Sequence, residues 1–241
     1  RWAVSNGAVS NGAVSNGAVH RVTRGLLWSE FTEDAQLLDV PLDGAVGSVG
    51  EFDPEPTYLV CAHSKRDVCC ALRGRPLAAA LLAQRPGRVW ECSHTGGHRF
   101  APIVLALPVG ALYGRVPADG AGELIAATER GEVLAPLLRG LIGHSPVEQA
   151  AIGQLMIAQS LRSPDAVAVC SSAETAPDRW DVRLAVRGLA VSGSPVRGSD
   201  VNGSQWLVRL AVETVPTTYA SCAKPAPKPE RQIHLVELVR A

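Results

Sequence analysis

Two short stretches of the chain hold most of the side chains that could bind a metal. The first, residues 61–70, contains three cysteines, a histidine and an aspartate within ten positions, and the second contains Cys92, His94 and His98. Thiolate sulfur and imidazole nitrogen are the usual ligands of zinc and of iron–sulfur clusters. The residue types therefore indicate a metal centre built from two separate loops.

Each stretch follows a predicted strand. Residues 57–60 form a short apolar run that ends at Cys61, residues 88–92 form a second run, and the sequence PLAAALLAQ at 76–84 predicts a helix that begins at its proline. A strand–helix–strand unit makes the two strands parallel, and parallel strands end on the same side of a sheet. We therefore expect the loops 61–70 and 92–100 to converge.

The glycines of the second loop favour one kind of metal centre over another. Thr95, Gly96 and Gly97 separate the two histidines, and two glycines cost roughly 2 kcal/mol in a helix, so this segment is a loop. Structural zinc favours thiols two to four residues apart, a spacing that Cys61 and Cys70 do not have. Glycines let a backbone fold around a bulky ligand. An iron–sulfur cluster fits better, and zinc stays the alternative.

The rest of the chain predicts an α/β (α+β) fold with a thioredoxin-like domain. Residues 102–108 and 111–116 predict a hairpin, and residues 121–130 predict a helix stopped by Gly131. The order strand, helix, strand, then strand, strand, helix is the thioredoxin-like arrangement around a four-stranded sheet.

A small β-rich extension is predicted after this domain. Ser145, Pro146 and Glu148 begin a helix that reaches about Leu161, and four strands follow, at 166–169, 180–186, 206–212 and 233–239. The threefold AVSNG repeat near the start indicates low-complexity linker more strongly than tiny strands. We therefore divide the chain into segments 1–22, 23–163 and 164–241.

Three sequence segments resemble the sucrase/ferredoxin-like family, and within it the bishistidinyl thioredoxin-like [2Fe-2S] proteins. They are VCAHSKRDVCCALRGRPLA, VWECSHTGGHRFAPIVLALPVGALYGRV and LLRGLIGHSPVEQAA, and the resemblance spans about residues 57–153. It implies one [2Fe-2S] cluster as cofactor, held by Cys61, Cys70, His94 and His98. It also implies an electron carrier rather than an enzyme, with redox donor and acceptor proteins as partners. Because a histidine ligand keeps a second ring nitrogen that can titrate, electron uptake can be coupled to proton uptake.

The same residues allow other interpretations of the ligand set and of the class of protein. Cys69 could replace Cys70 as a ligand, although side chains of neighbouring residues diverge. A thiol redox enzyme using Cys69, Cys70 or Cys92 is an alternative that the lack of a Cys-x-x-Cys motif disfavours, and a zinc-stabilised binding module is another. Supporting roles are expected for the remaining residues: His63 as a hydrogen-bonding residue, Asp67 with Arg66 as a loop tie, Cys92 as a core thiol, and Cys170 and Cys222 within the C-terminal sheet. Lys65 and Arg99 are expected either as solvated loop charges or in docking an acidic partner.

The composition of the chain argues against nucleic-acid-binding and membrane-spanning classes of protein. The chain has 241 residues, 46% hydrophobic and 19% charged, with 23 basic and 23 acidic side chains. A core is therefore expected, and a nucleic-acid partner is not, because the basic excess and basic runs that would bind phosphates are missing. The apolar runs are shorter than the ~18 residues that span a bilayer. With no export signal near residue 1 we expect no membrane association, a cytoplasmic location and cysteines that are thiols or metal ligands.

Overall fold

The computed structural model of the chain describes residues 2–6, 24–39, 50–65, 67–93, 95–187, 204–218 and 228–241. Within these ranges the chain forms three sheets and three α-helices. No helix in the described part is long and apolar enough to cross a membrane.

The N-terminal sheet has three antiparallel strands in the order β1-β2-β3. They are β1 (Trp2–Asn6), β2 (Gly25–Ser29) and β3 (Glu51–Asp53). The first AVSNG unit thus lies in a strand rather than in a linker, and residues 7–23 lie outside the described residues. Trp28 of β2 stacks on Trp90 with ring centroids 6.1 Å apart, which attaches this sheet to the next one.

The central sheet has five strands in the order β5-β4-β6-β7-β8. β4 pairs in parallel with β5 and antiparallel with β6, and β6 continues through a hairpin into β7. The strands are β4 (Thr57–Cys61), β5 (Val89–Cys92), β6 (Ile103–Leu107), β7 (Ala111–Gly114) and β8 (Leu138–Leu141). Strands β4 to β7, one parallel pair followed by a hairpin, make the thioredoxin-like arrangement, so the predicted fold class is confirmed. β8 adds a strand that the four-stranded prediction lacked.

Three helices pack against this sheet: α1 (Val68–Gln84), α2 (Ala121–Glu129) and α3 (Pro146–Ala158). The predicted capping box of α3 is confirmed, because the Ser145 hydroxyl accepts from the Glu148 N–H and the Glu148 carboxylate accepts from the Ser145 N–H. The predicted start of α1 at Pro76 is wrong. α1 begins at Val68 and contains Pro76 in its interior, where the proline removes one backbone hydrogen bond without ending the helix.

Four antiparallel strands form the C-terminal sheet in the order β12-β11-β10-β9. They are β9 (Val167–Ala176), β10 (Arg179–Val186), β11 (Gln205–Thr218) and β12 (Lys228–Arg240). Alternating residues such as Val182 and Leu184 are fully buried and join the core that the central sheet and helices form. α3 packs between β8 and this sheet. The β-rich extension is therefore built onto the thioredoxin-like part through one continuous core.

The contact between α1 and β4 depends on a glycine. A Cβ on Gly74 would lie 2.2 Å from the backbone oxygen of Cys61, which real side chains never tolerate. Gly74→Ala should therefore push α1 away from β4 and lower the free energy of unfolding by about 1–3 kcal/mol. Gly153→Ala in α3 is the matched control, since nothing lies within 4 Å of its Cβ position. It should raise stability by about 0.5–1 kcal/mol. Urea unfolding measures both changes, and equal stability of the two variants would contradict this packing.

Candidate metal centre

Cys61 lies at the end of β4, the strand that runs between β5 and β6. Because β4 is flanked on both sides, this end of the strand is deeply enclosed, and Cys61 is only 1% exposed. Its neighbour in the parallel register is Cys92, the last residue of β5. The Ala62 N–H donates to the Cys92 carbonyl at 3.2 Å, which holds the two chain segments together just beyond the strands. The predicted convergence of the two loops is thus confirmed at their first residues.

Cys69 and Cys70 lie in the first turn of α1 rather than in a loop. Asp67 caps this helix: its fully buried carboxylate accepts a hydrogen bond from the Cys69 N–H at 3.1 Å. Asp67 therefore caps a helix, and the expected loop tie with Arg66 stays a prediction because Arg66 lies outside the described residues. The sequence analysis missed this start of α1 because it did not use the aspartate that directly precedes the helical run, although such a residue is typical of a helix start.

The two adjacent cysteines differ in chemical state. Cys69 is disulfide-bonded, which corrects the expectation that the cysteines are thiols or metal ligands. Cys70 is a free cysteine and is 1% exposed. Of the two, Cys70 is therefore the one whose thiol is available to a metal.

Cys61 and Cys70 form a pair of thiols in direct contact. A hydrogen bond joins their side chains, and the Cys61 thiol also donates to the Ser93 carbonyl at 3.1 Å. Burial is the largest cause that raises the pKa of the Cys70 thiol, and with the neighbouring Cys61 and Asp67, which disfavour a second negative charge, the pKa reaches about 12. A bound cation would reverse this effect by stabilising both thiolates.

An apolar layer closes the site around these sulfur atoms. Ala101 and Ile103 are buried with the two cysteines in one cluster, and Phe100 and Leu112 pack on its edge. Such a layer excludes water and lowers the local dielectric constant, both of which tune the potential and solvent access of a metal group.

The second loop, residues 92–100, turns sharply beside the thiol pair of Cys61 and Cys70. Gly96 and Gly97 have φ values of +85° and +64°, a region that glycine enters without strain. His98 then begins a short 3₁₀ helix that ends at Phe100. His94 lies outside the described residues, and the position of the His98 side chain is not described either. Ligation by His94 and His98 therefore stays a prediction, supported by the backbone path of their loop.

Two further side chains at the site were assigned supporting roles. His63 is half-buried, and its Nδ1 atom is buried without a hydrogen-bond partner in the described part of the chain, so the expected hydrogen bond is not seen at that atom. Cys92 is half-buried and packs on the thiol pair, and burial together with Cys61 raises the pKa of its thiol. Cys170 lies in the C-terminal sheet as expected, but it is exposed. Cys222 is outside the described residues.

The described residues supply half of the expected ligand set. Among them, no three His, Cys, Asp or Glu side chains are grouped as a metal site. What they provide is one buried thiol pair, a loop of two glycines and an unpartnered histidine nitrogen. A pair of thiols that can ionise is a donor set that suits an iron–sulfur cluster, so the described residues fit the expected group.

Comparison with known proteins identifies the family of the chain. The model of the sucrase/ferredoxin-like family matches residues 13–140, more than half of the chain, and the chain therefore belongs to this family. No curated protein matches it. Among solved structures, it is similar to a thioredoxin-like [2Fe-2S] ferredoxin from Aquifex aeolicus with 18% identity and a TM-score of 0.34, over 38% of this chain and 94% of that one. The Cys55Ser variant of the Aquifex ferredoxin is similar with 17% identity and a TM-score of 0.32, over 35% and 97% of the two chains.

The high pKa of Cys70 makes the stability of the metal-free protein depend on pH. Because the folded-state pKa, about 12, exceeds the ordinary value of 9.0, the folded protein keeps a proton that the unfolded chain loses. The stabilisation is complete below pH 9 and is lost as the pH rises towards 12. Urea unfolding of the metal-free chain between pH 8 and 11 should show this loss, and Cys70→Ser should reduce its slope. The same slope in both proteins would contradict the pairing of the two thiols.

Proposed function

We propose that this protein is a one-electron carrier that binds one [2Fe-2S] cluster through Cys61, Cys70, His94 and His98. The observation that supports the proposal most is the buried thiol pair of Cys61 and Cys70, formed by two elements of a thioredoxin-like fold. Ionising this pair is costly without a partner of opposite charge, because burial and the neighbouring Cys61 raise the pKa of the Cys70 thiol. The cluster would supply reversible uptake of a single electron.

The residues of the chain would set the properties of this centre. Cys61 would be held in place by the end of β4 and the Ser93 carbonyl, and Cys70 by the first turn of α1. Ala101, Ile103 and Phe100 would keep water from one side. Gly96 and Gly97 would let the second loop approach closely enough to bring its two histidines to the same place.

Mixed ligation gives a specific expectation for the charge of the centre. The oxidised core of a [2Fe-2S] cluster carries two positive charges, which two thiolates neutralise and four thiolates would exceed. Neutral histidines therefore make electron uptake easier and raise the reduction potential, as they do in other clusters with histidine ligands. Proton uptake at a histidine ligand, the redox partners and a cytoplasmic location remain predictions.

The alternative of a thiol redox enzyme is less well supported. Nucleophilic cysteines have lowered pKa values, because the thiolate is the reactive form. Burial instead raises the pKa of Cys70 and of Cys92. A raised pKa keeps both in the unreactive thiol form near neutral pH, whereas it does not prevent ligation, since metal binding itself displaces the proton.

Replacement of single cysteines tests the ligands. Cys61→Ser and Cys70→Ser should each abolish or strongly reduce the visible absorption and the bound iron, because each removes a thiolate from the buried pair. Cys69→Ser, Cys92→Ser and Cys170→Ser are controls that should retain both. Absorption spectra and iron analysis of anaerobically purified proteins measure the effect. Loss of the cluster in Cys69→Ser with retention in Cys70→Ser would shift the assignment to Cys69.

Replacement of the histidines tests the charge argument. His94→Cys and His98→Cys each add a negative charge to the centre, so each should retain a cluster and lower its reduction potential by roughly a hundred millivolts or more. His144→Cys is the control, because His144 follows β8 beyond the central sheet and has no expected role. Protein-film voltammetry measures the three potentials. A potential that is unchanged in both His94→Cys and His98→Cys would argue against histidine ligation.

A further inference from the structure

Three arginines surround one aromatic ring beside the second loop. The guanidinium carbon of Arg139 lies 3.5 Å from the centroid of the Phe100 ring, that of Arg99 lies at 4.5 Å and that of Arg115 at 5.3 Å. Each contact is a cation–π interaction that favours a positive charge on the ring face. The three side chains come from different parts of the chain, and Phe100 brings them together.

This cluster holds more positive than negative charge. Arg99 pairs with the Glu230 carboxylate of β12, whereas Arg139 and Arg115 form no ion pair within the described part of the chain. Partial burial and the nearby charges of Arg99 and Arg115 lower the pKa of Arg139. Arginines crowded together in this way repel each other, and an anion placed between them would remove the repulsion.

Arg99 and Arg139 open into a cleft between the thioredoxin-like part and the C-terminal sheet. Its volume is about 540 Å³, a size typical of small-molecule sites, which often lie between structural units. On the opposite wall β12 contributes Arg231, which pairs with Asp178 across the sheet. The side chains that can donate hydrogen bonds into the cleft are Arg99, Arg139, Arg231, Gln154, Gln232 and His234.

We propose that this cleft binds a small oxyanion with at least two negative charges. The planar guanidinium of Arg139 can bind a phosphate or carboxylate group with two parallel hydrogen bonds. Arg231 and the glutamine amides can reach a second anionic group of the same molecule from the other wall. The Phe100 ring holds Arg139 in position, which reduces the entropy that binding would cost.

The shape of the site favours a small free anion over an acidic partner protein. The arginines of an exposed docking patch lie on an open surface, where a flat partner can reach all of them. Arg99 and Arg139 instead lie on one wall of a cleft whose other walls are α3 and β12. A molecule that contacts both Arg139 and Arg231 must therefore enter this space.

Isothermal titration calorimetry of the full chain tests the proposal with two probes, pyrophosphate and citrate, at constant ionic strength in chloride. We expect saturable binding of at least one probe, and the two probes distinguish phosphate from carboxylate chemistry. Arg139→Gln should weaken this binding at least tenfold, because it removes a charge-assisted pair of hydrogen bonds. Arg183→Gln is the matched control: it removes the same charge from an exposed position on β10, outside the cleft, and should keep the affinity within twofold.

The thermal stability of the probe-free variants separates a binding role from a structural one. Arg139→Gln relieves repulsion from Arg99 and Arg115 but also removes the cation–π contact with Phe100, so its melting temperature should stay within about 4 °C of that of the parent chain. A larger decrease in melting temperature would mean that Arg139 is needed for packing and would overturn the assignment. Equal affinity of Arg139→Gln and the parent chain, or no binding of either probe, would also overturn it. These outcomes do not depend on the cluster, so they leave the proposed electron-transfer function untouched.

Discussion

The close approach of α1 to the end of β4 is the contact on which the rest of the site depends. Gly74 lies directly over the Cys61 backbone, and no residue with a side chain would fit there. This approach carries the first turn of α1, with Cys70, to the buried sulfur of Cys61. The capping aspartate fixes where that turn begins, and the parallel pairing of β4 with β5 brings the second loop to the same edge of the sheet. One helix–strand contact thus determines which side chains can meet.

Much of this arrangement could be predicted from the sequence, because its signals are local. The strands at 57–61 and 89–92 are short and bounded, so their assignment as strands was correct, and the first of them is buried as predicted. The capping box at Ser145 predicts the start of α3 correctly for the same reason. The start of α1 was predicted wrongly because Pro76 was taken for the first residue of the helix, although Asp67 carried the stronger signal. Strand β8 was missed since Leu138–Leu141 is short and contains a glycine, which leaves no alternating pattern to recognise.

The remaining features of the site could not be predicted because they depend on residues far apart in the chain. The convergence of the two loops followed from topology, but the hydrogen bond between Cys61 and Cys70 depends on how deeply α1 packs. The disulfide state of Cys69 has no sequence signal. The arginines around Phe100 come from three elements, and only the folded chain shows that they share one ring and one cleft. The ion pair of Arg99 with Glu230 on β12 likewise joins residues far apart in the chain.

The thiol pair and the arginine cluster share one feature: each brings close together groups that carry like charges once they are ionised. Such groups indicate a missing partner of opposite charge: a metal core for the thiols and an anion for the arginines.

The central claim concerns the metal core. Analysis of iron, zinc and acid-labile sulfide in the anaerobically purified full chain tests it most directly. The account predicts two iron atoms and two sulfide ions per chain, and a protein that contains zinc, or no metal and no sulfide, would contradict it.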